Sequence, residues 1–399
     1  MDLVNEIRSW NAGREPERLR MKYQAMHGDA FRFLRGTAHL FYGRVPAAGI
    51  FKSAPLAWAC GDLHLENFGS YKGDNRLAYF DLNDFDEAAL APATWDLVRM
   101  LTSIRIAADT YGATAAQAQA SCNAYLDAYA AALVAGKAYW IERETAEGVV
   151  RTLLDDVRHR ERSAFLNRRT TLKGRKRKLV VDGRHALAAT PGQRAAVTDF
   201  IDAYAATQNH GRFFRVIDVA RRIAGTGSLG LDRYVILVEG KGSPDANYLI
   251  DLKEAAPSAL ARWTGVKQPR WKTEAERVVT VQRRMQAVSM AFLRPMMMGD
   301  KSYILRGLQP TEDRIAIDHP AVVAGEFERA VATMGRLTAW AQLRSAGRGG
   351  ADSADDLIEW GGKRKWKSRL LEVSEHCAEA CRADSKAYDT AYDAGAFDV

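Results

Sequence analysis

The first fifty residues read as helical. The stretch 17–26 is charged and suited to helix, and 30–42 carries apolar residues at Phe31, Phe33, Leu34, Leu40 and Phe41. A short apolar run over 55–60 predicts a strand, a polar loop follows over 61–70, and a second strand is predicted over 77–82. Beyond an acidic turn the pattern predicts a helix over 94–108, a second from the alanine-rich run 113–135, and a third over 191–207. The pattern then changes character. Residues 213–223 are strand-like and 225–230 form a glycine loop. RYVILVE (233–239) and YLIDLK (248–253) are apolar, β-branched or aromatic runs separated by the turn-rich stretch 240–247. Three antiparallel strands are predicted there. A helix over 274–291, a strand over 303–308, a helix over 325–344 and a mostly helical tail from 355 complete the chain. The layout is a helical part, a small sheet part and a helical part, without internal repeats.

At 399 residues the chain exceeds one compact core, so two lobes are expected. Its composition, 47% apolar and 27% charged, is that of a globular protein, and no apolar run reaches the roughly 18–20 residues of a bilayer span. Residues 1–10 lack the apolar stretch of a signal peptide. The four cysteines, Cys60, Cys122, Cys377 and Cys381, form no CxxC pair, which argues against a disulfide scaffold or zinc ribbon and points to the reducing cytoplasm. The net charge of +8 suits an anionic partner. Part of it is local: 168–178 (RRTTLKGRKRK) holds seven basic residues and no acid, read as a solvated loop. Without interleaved aromatics it gives little reason to expect nucleic acid as the partner.

Two acidic clusters carry the candidate chemistry. In CGDLHLEN (60–67), Asp62 and Asn67 lie five residues apart after a strand. Phosphoryl transfer needs a carboxylate near the attacking hydroxyl and oxygen ligands for Mg2+, and this spacing supplies both. In DLNDFDE (81–87), Asp84 would complete the metal site. An EF-hand is excluded, because counting from Asp81 the sixth position is Asp86 rather than glycine. Asp96 would brace the first loop, and His64 is read as structural. The second constellation is GTGSLG (225–230), with Gly225, Gly227, Ser228 and Gly230 in a GxGxxG pattern. A dinucleotide fold would follow it with a helix. Here a strand follows, which is the arrangement in which a glycine hairpin covers ATP phosphates. Lys253 lies on the third strand, where a lysine needs a partner such as a phosphate. Glu276, or Glu274, on the next helix would pair with it, and the backbone of 305–307 would read the base.

An ordinary kinase places the glycine loop and lysine first; here Asp62 precedes Lys253. A circular permutation accounts for that order. The second half of helix 325–344 is similar to the helix that runs before the catalytic loop in aminoglycoside and choline kinases. The chain also resembles the bacterial family catalogued as domain of unknown function 2252. The resemblance rests on FRFLRGTAHLFY (31–42), CGDLHLENFG (60–69), FDLNDFDEAALAPATWDL (80–97), GTGSLG (225–230), DLKEAAPSAL (251–260) and ERVVTVQRRMQAVS (276–289). It covers most of the chain. Similarity to aminoglycoside phosphotransferases implies Asp62 as catalytic base and Asn67 and Asp84 as metal ligands. Two departures stand out. Residues 341–350 (AQLRSAGRGG) replace a histidine-containing stretch usual in the family, and Thr280 stands where relatives commonly have glutamate. Arg35 belongs to the family signature and is read mainly as a structural brace.

The expectation is a two-lobed, circularly permuted, protein-kinase-like α+β fold. Residues 1–207 form the helical lobe, 208–312 the nucleotide-binding sheet lobe, and 313–399 return to the helical lobe with a tail. The expected activity is ATP- and Mg2+-dependent phosphoryl transfer to a hydroxyl of a small molecule. AMP transfer to protein hydroxyls and a non-catalytic nucleotide sensor are the alternatives.

Overall fold

The computed structural model describes residues 2–310, 313–315 and 325–399. The fold is α+β. Its largest sheet is antiparallel with six strands in the order Arg294–Met298, Lys301–Gly307, Tyr248–Glu254, Arg233–Val238, Val216–Arg222 and Ala186–Ala188. The three runs predicted as strands form its centre. Arg233 pairs with Lys253, Ile236 with Ile250 and Leu252 with Leu305. Because side chains alternate along a strand, the sheet has two unlike faces. Val219, Tyr234, Ile236, Ile250, Leu252 and Leu305 face one way and pack with Val197 and Ile201 of helix Pro191–Ala206. Ala220, Val235, Leu237 and Leu249 face the other way and pack with Leu166, Leu179 and Ala186. On that second face the strands turn from apolar to charged, with Arg222, Arg233, Asp251 and Lys253 continuing the rows.

The two outer strands were not predicted. Arg294–Met298 carries a proline and three methionines rather than β-branched residues, and Ala186–Ala188 is three residues long. The helix expected over 274–291 ends at Met285. The chain beyond it is drawn into the acidic region, where Gln286 Nε2 donates to Leu82 O at 2.6 Å and Tyr71 Oη donates to Val288 O at 2.8 Å. The basic run is a hairpin, Thr170–Lys173 with Lys176–Leu179, rather than a loop. Its Arg177 is buried and donates to Asn167, Thr170 and Pro244. This hairpin covers part of the second sheet face through Leu179. Ala186–Ala188 and helix Pro191–Ala206, assigned from sequence to the helical part, thus belong with the sheet, and the boundary expected at 312 lies outside the described residues.

The helical part is built around Thr94–Tyr111, Ala115–Ala135, Glu326–Ser345 and Lys365–Asp393. Glu326–Ser345 packs along Ala115–Ala135, with Tyr125 Oη to Thr338 Oγ1 at 2.9 Å and Tyr129 Oη to Gln342 Oε1 at 2.5 Å. From Ser345 the chain turns back onto strand Leu56–Ala59. Asp352 N donates to Leu56 O at 2.8 Å, its carboxylate accepts from Leu56 N at 2.8 Å, and Trp58 Nε1 donates to Arg348 O at 2.7 Å. The late helix therefore ends beside the strand that leads into the Asp62 loop. Short helices of the first fifty residues pack on the tail, where Tyr388 Oη donates to Tyr23 O. All four cysteines are free and buried. Among the described residues no helix is long and apolar enough to cross a membrane.

Candidate functional site

Strand Leu56–Ala59 delivers the chain to Gly61, whose φ of +89° is left-handed. A Cβ there would stand 1.9 Å from Glu87 O, so only glycine lets the two acidic segments touch. Asp96, at the start of helix Thr94–Tyr111, accepts from Cys60 N at 2.9 Å and Gly61 N at 3.1 Å, which is the bracing role expected for it. Burial lifts its carboxyl to about 6 against those two hydrogen bonds. His64 is buried, and its Nδ1 accepts from Glu66 N. Asn67 ties the clusters together. Its Nδ2 donates to the carbonyls of Asp62 and Asp84, both at 3.1 Å, and its Oδ1 accepts from Asp84 N at 2.7 Å. Asn83 N also approaches Oδ1, at 3.4 Å, so a metal at this oxygen would displace that long contact.

Asp62 has a partner that sequence did not indicate. Its Oδ1 accepts from Arg99 Nε at 2.9 Å and Nη2 at 2.5 Å. Arg99 is fully buried, lies 4.5 Å over the Phe41 ring, and also donates to Leu34 O. Burial raises the Asp62 carboxyl above its ordinary value, against the pull of Arg99. Among the described residues its second oxygen accepts no hydrogen bond, and Asp62 lines a cavity where that oxygen can receive a hydroxyl.

Lys253 is 2% exposed, so it is not a solvent-facing edge lysine. Its Nζ contacts the Asp86 carboxylate and lies 3.8 Å from Asp84 Oδ1. The sheet and the acidic loops thus meet at this ammonium. Burial would raise the Asp84 carboxyl, but Lys253, Arg306 and Arg233 together hold it down to about 2. The expected partner, Glu276, is elsewhere: its Oε2 accepts from Lys272 N at 2.7 Å at the helix start. One position on, the helix turns Arg277 into the site. Arg277 donates to the carbonyls of Asp86, Ala88 and Ala256 and to Glu274, so Glu274 is also taken. The backbone of 305–307 lies inside a strand paired on both sides at Leu305, and Gly307 N donates to Ala291 O. The ladders thus use the groups expected to read a base.

Glu87 accepts from Ala259 N, and burial lifts its carboxyl to about 7 from 4.5. A raised acid pKa favours the folded state fully below the unfolded value, and that contribution is lost as pH rises through the folded value. Glu87→Gln stays neutral. Its stability in denaturant melts should therefore gain on wild type as pH rises from about 4.5 to about 7; parallel curves would rule out the buried carboxyl.

The glycine loop lies between strands Val216–Arg222 and Arg233–Val238, as the pattern predicted. Gly230 has a φ of +91° and would meet Arg14 at 2.8 Å with a Cβ. The N-terminal segment pins the loop. Arg14 Nη1 donates to the carbonyls of Gly227 and Leu229 at 2.7 and 2.9 Å, and the fully buried Lys22 donates to Gly227 O at 3.1 Å. Gly225, Gly227 and Ser228 line a cavity of about 60 Å3 together with Asp62, Asp84 and Asp86. The two constellations therefore share one space.

A second cavity of about 60 Å3 adjoins it at Asp84 and Gly225 and is lined by five arginines. Arg222, Arg233 and Arg306 converge on the fully buried Asp251, at 2.9, 2.7 and 3.3 Å from Oδ2. Arg35 and Arg314 share Glu66 Oε2, at 2.5 and 2.9 Å. Arg35 is thus the brace expected. The signal for the other three was an arginine on each strand flanking Asp251 and one on the next strand beyond, legible only once the register is known. Past Arg222, Ala224 and Pro310 lies a cavity of about 340 Å3, walled in part by Ile223, Val235 and Leu308. On the other side, Trp10, Arg14 and Leu231 border both the Asp62 cavity and one of about 880 Å3.

Among the described residues no three His, Cys, Asp or Glu side chains converge as a self-sufficient metal cage. Asp84, Asp86 and Asn67 Oδ1 nevertheless suit Mg2+, which is commonly held by one or two carboxylates with phosphate oxygens and water.

A family model described as an uncharacterized protein conserved in bacteria (DUF2252) matches residues 14–391, and the chain belongs to that family. No curated protein and no solved structure matches the chain.

Proposed function

We propose that this cleft binds MgATP and that the protein transfers a phosphoryl group from it to a hydroxyl of a small-molecule acceptor. The observation that carries the reading is the meeting of Lys253 with Asp84 and Asp86, partners 167 residues apart in the case of Asp86. A buried ammonium beside two carboxylates and a glycine hairpin supports a metal–triphosphate site, in which a lysine and metal-holding carboxylates act on the same phosphates. Asp84 and Asp86, with Asn67 Oδ1, would hold the metal, which neutralises charge on the phosphates when bound. Lys253 would exchange carboxylate for phosphate oxygens. Asp62, oriented by Arg99 through one oxygen, would use the other to orient the acceptor hydroxyl and take its proton. The apolar 340 Å3 cavity would receive the base, and the 880 Å3 cavity the acceptor.

The return of the chain from helix Glu326–Ser345 onto strand Leu56–Ala59 supports a permuted kinase-like order, since it rejoins in space two segments that such a fold joins in sequence. Mass analysis of products from MgATP and a panel of hydroxylated small molecules tests the activity. A phosphoryl gain on a small molecule, lost in Asp84→Ala, is expected. An AMP gain on protein, or turnover indifferent to Asp84, contradicts it.

A further inference from the structure

We infer that Arg222, Arg233, Arg306, Arg35 and Arg314 form a metal-independent binding site for condensed phosphate, either the chain of a nucleoside triphosphate or free polyphosphate. The inference rests on the nucleotide reading of the same cleft and adds that guanidiniums, not Lys253 alone, grip the phosphates.

Charge is the first ground. Among the described residues, five guanidiniums face three carboxylates, Asp251, Glu66 and Asp84, which leaves two positive charges in excess. Asp313 also lines the cavity but pairs with Arg160, and Lys253 is taken up by its closer partner Asp86. Arginines that only stitched strands together would need as many acids as bases, because buried unpaired charge is costly. The excess is also buried: Arg222, Arg233 and Arg306 are each less than one-tenth exposed.

The second ground is unmet hydrogen bonding. Among the described residues, Arg222 Nη1 and Arg35 Nε are buried donors without a hydrogen-bond partner, although Arg222 Nη1 lies 2.9 Å from Asp251. A planar fork with a spare N–H matches phosphate oxygens. Burial, with Arg233 and Arg306 crowding the same carboxylate, lowers Arg222 to about 9 even though Asp251 opposes the shift. An arriving anion would relieve that crowding. Position is the third ground. The cavity lies between the apolar 340 Å3 cavity, across Arg222 and Pro310, and the Asp62 cavity, across Asp84 and Gly225. A phosphate chain would lie there between its base and the acceptor.

The test is calorimetric titration of the full chain with sodium tripolyphosphate in EDTA, with thermal melts alongside. Wild type should bind and melt higher. Arg222→Gln and Arg306→Gln should bind about 10- to 100-fold more weakly, the loss of a charge-assisted hydrogen bond. Asp84→Ala should bind at least as well as wild type, because metal plays no part. Displacement by ATP would identify the nucleotide as the source of the phosphate, and failure to compete would identify free polyphosphate. No metal-free binding by wild type would overturn the inference even if the variants do not fold, and so would folded variants that bind like wild type. The nucleotide reading fails separately, if Asp84→Ala leaves MgATP binding and transfer unchanged.

Discussion

Asp62→Asn is expected to leave MgATP binding intact and to cut phosphoryl transfer by about 10²–10⁴-fold, the usual contribution of a positioned general base. The substitution keeps an acceptor oxygen for Arg99, which holds Asp62 Oδ1 through two N–H groups. It replaces the unpaired carboxylate oxygen with an amide that cannot take a proton. Because Arg99 is fully buried and also anchored on Leu34 O, the loop should keep its place. Binding by calorimetry and initial rates on the same preparation separate the two effects. Unchanged rates would reduce Asp62 to a brace for Arg99.

Asp251→Ala should destabilise the protein by about 3–5 kcal/mol, the cost of removing one partner from a buried ionic group. Here one fully buried carboxylate serves three guanidiniums, so its loss leaves like charges crowded in a dry place. The midpoint of urea unfolding should fall with little change in slope. Breaking the exposed pair Lys363–Glu359 by Glu359→Ala should shift stability by only about 0.5 kcal/mol. The acid limb offers a second readout. Burial opposes ionisation of Asp251, but Arg222 and Arg233 hold its carboxyl well below the ordinary 3.8. A depressed acid pKa stabilises above the unfolded value, and that stability is lost as pH falls through the folded one. Asp251→Ala should therefore flatten the loss of stability in acid. A variant as stable as wild type would mean that the three arginines do not depend on this carboxylate.

The central strands were legible because long β-branched runs carry their own period, and the two acidic loops because a strand, a glycine and clustered carboxylates coincide in a few residues. What lay hidden depended on rotation and register. Glu276 and Arg277 are neighbours in sequence, yet helix phase turns Arg277, not Glu276, toward the acidic loop. Asp86, two positions from Asp84, is the closer partner of Lys253, a choice set by the course of a loop without periodicity. The contacts of Arg14 and Lys22 with the glycine loop span more than two hundred residues and leave no local mark. The basic hairpin was read as a loop because charge dominates 170–179, although Arg177 and Leu179 point inward and their neighbours outward.

Calorimetric titration of ATP, with and without Mg2+, into wild type, Lys253→Ala and Asp84→Ala asks most directly whether the glycine hairpin and the acidic loops grip one ligand. The account predicts saturable binding to wild type that Mg2+ strengthens, weaker binding to folded Lys253→Ala, and no strengthening by Mg2+ in folded Asp84→Ala. Two variants that bind as wild type does would contradict it.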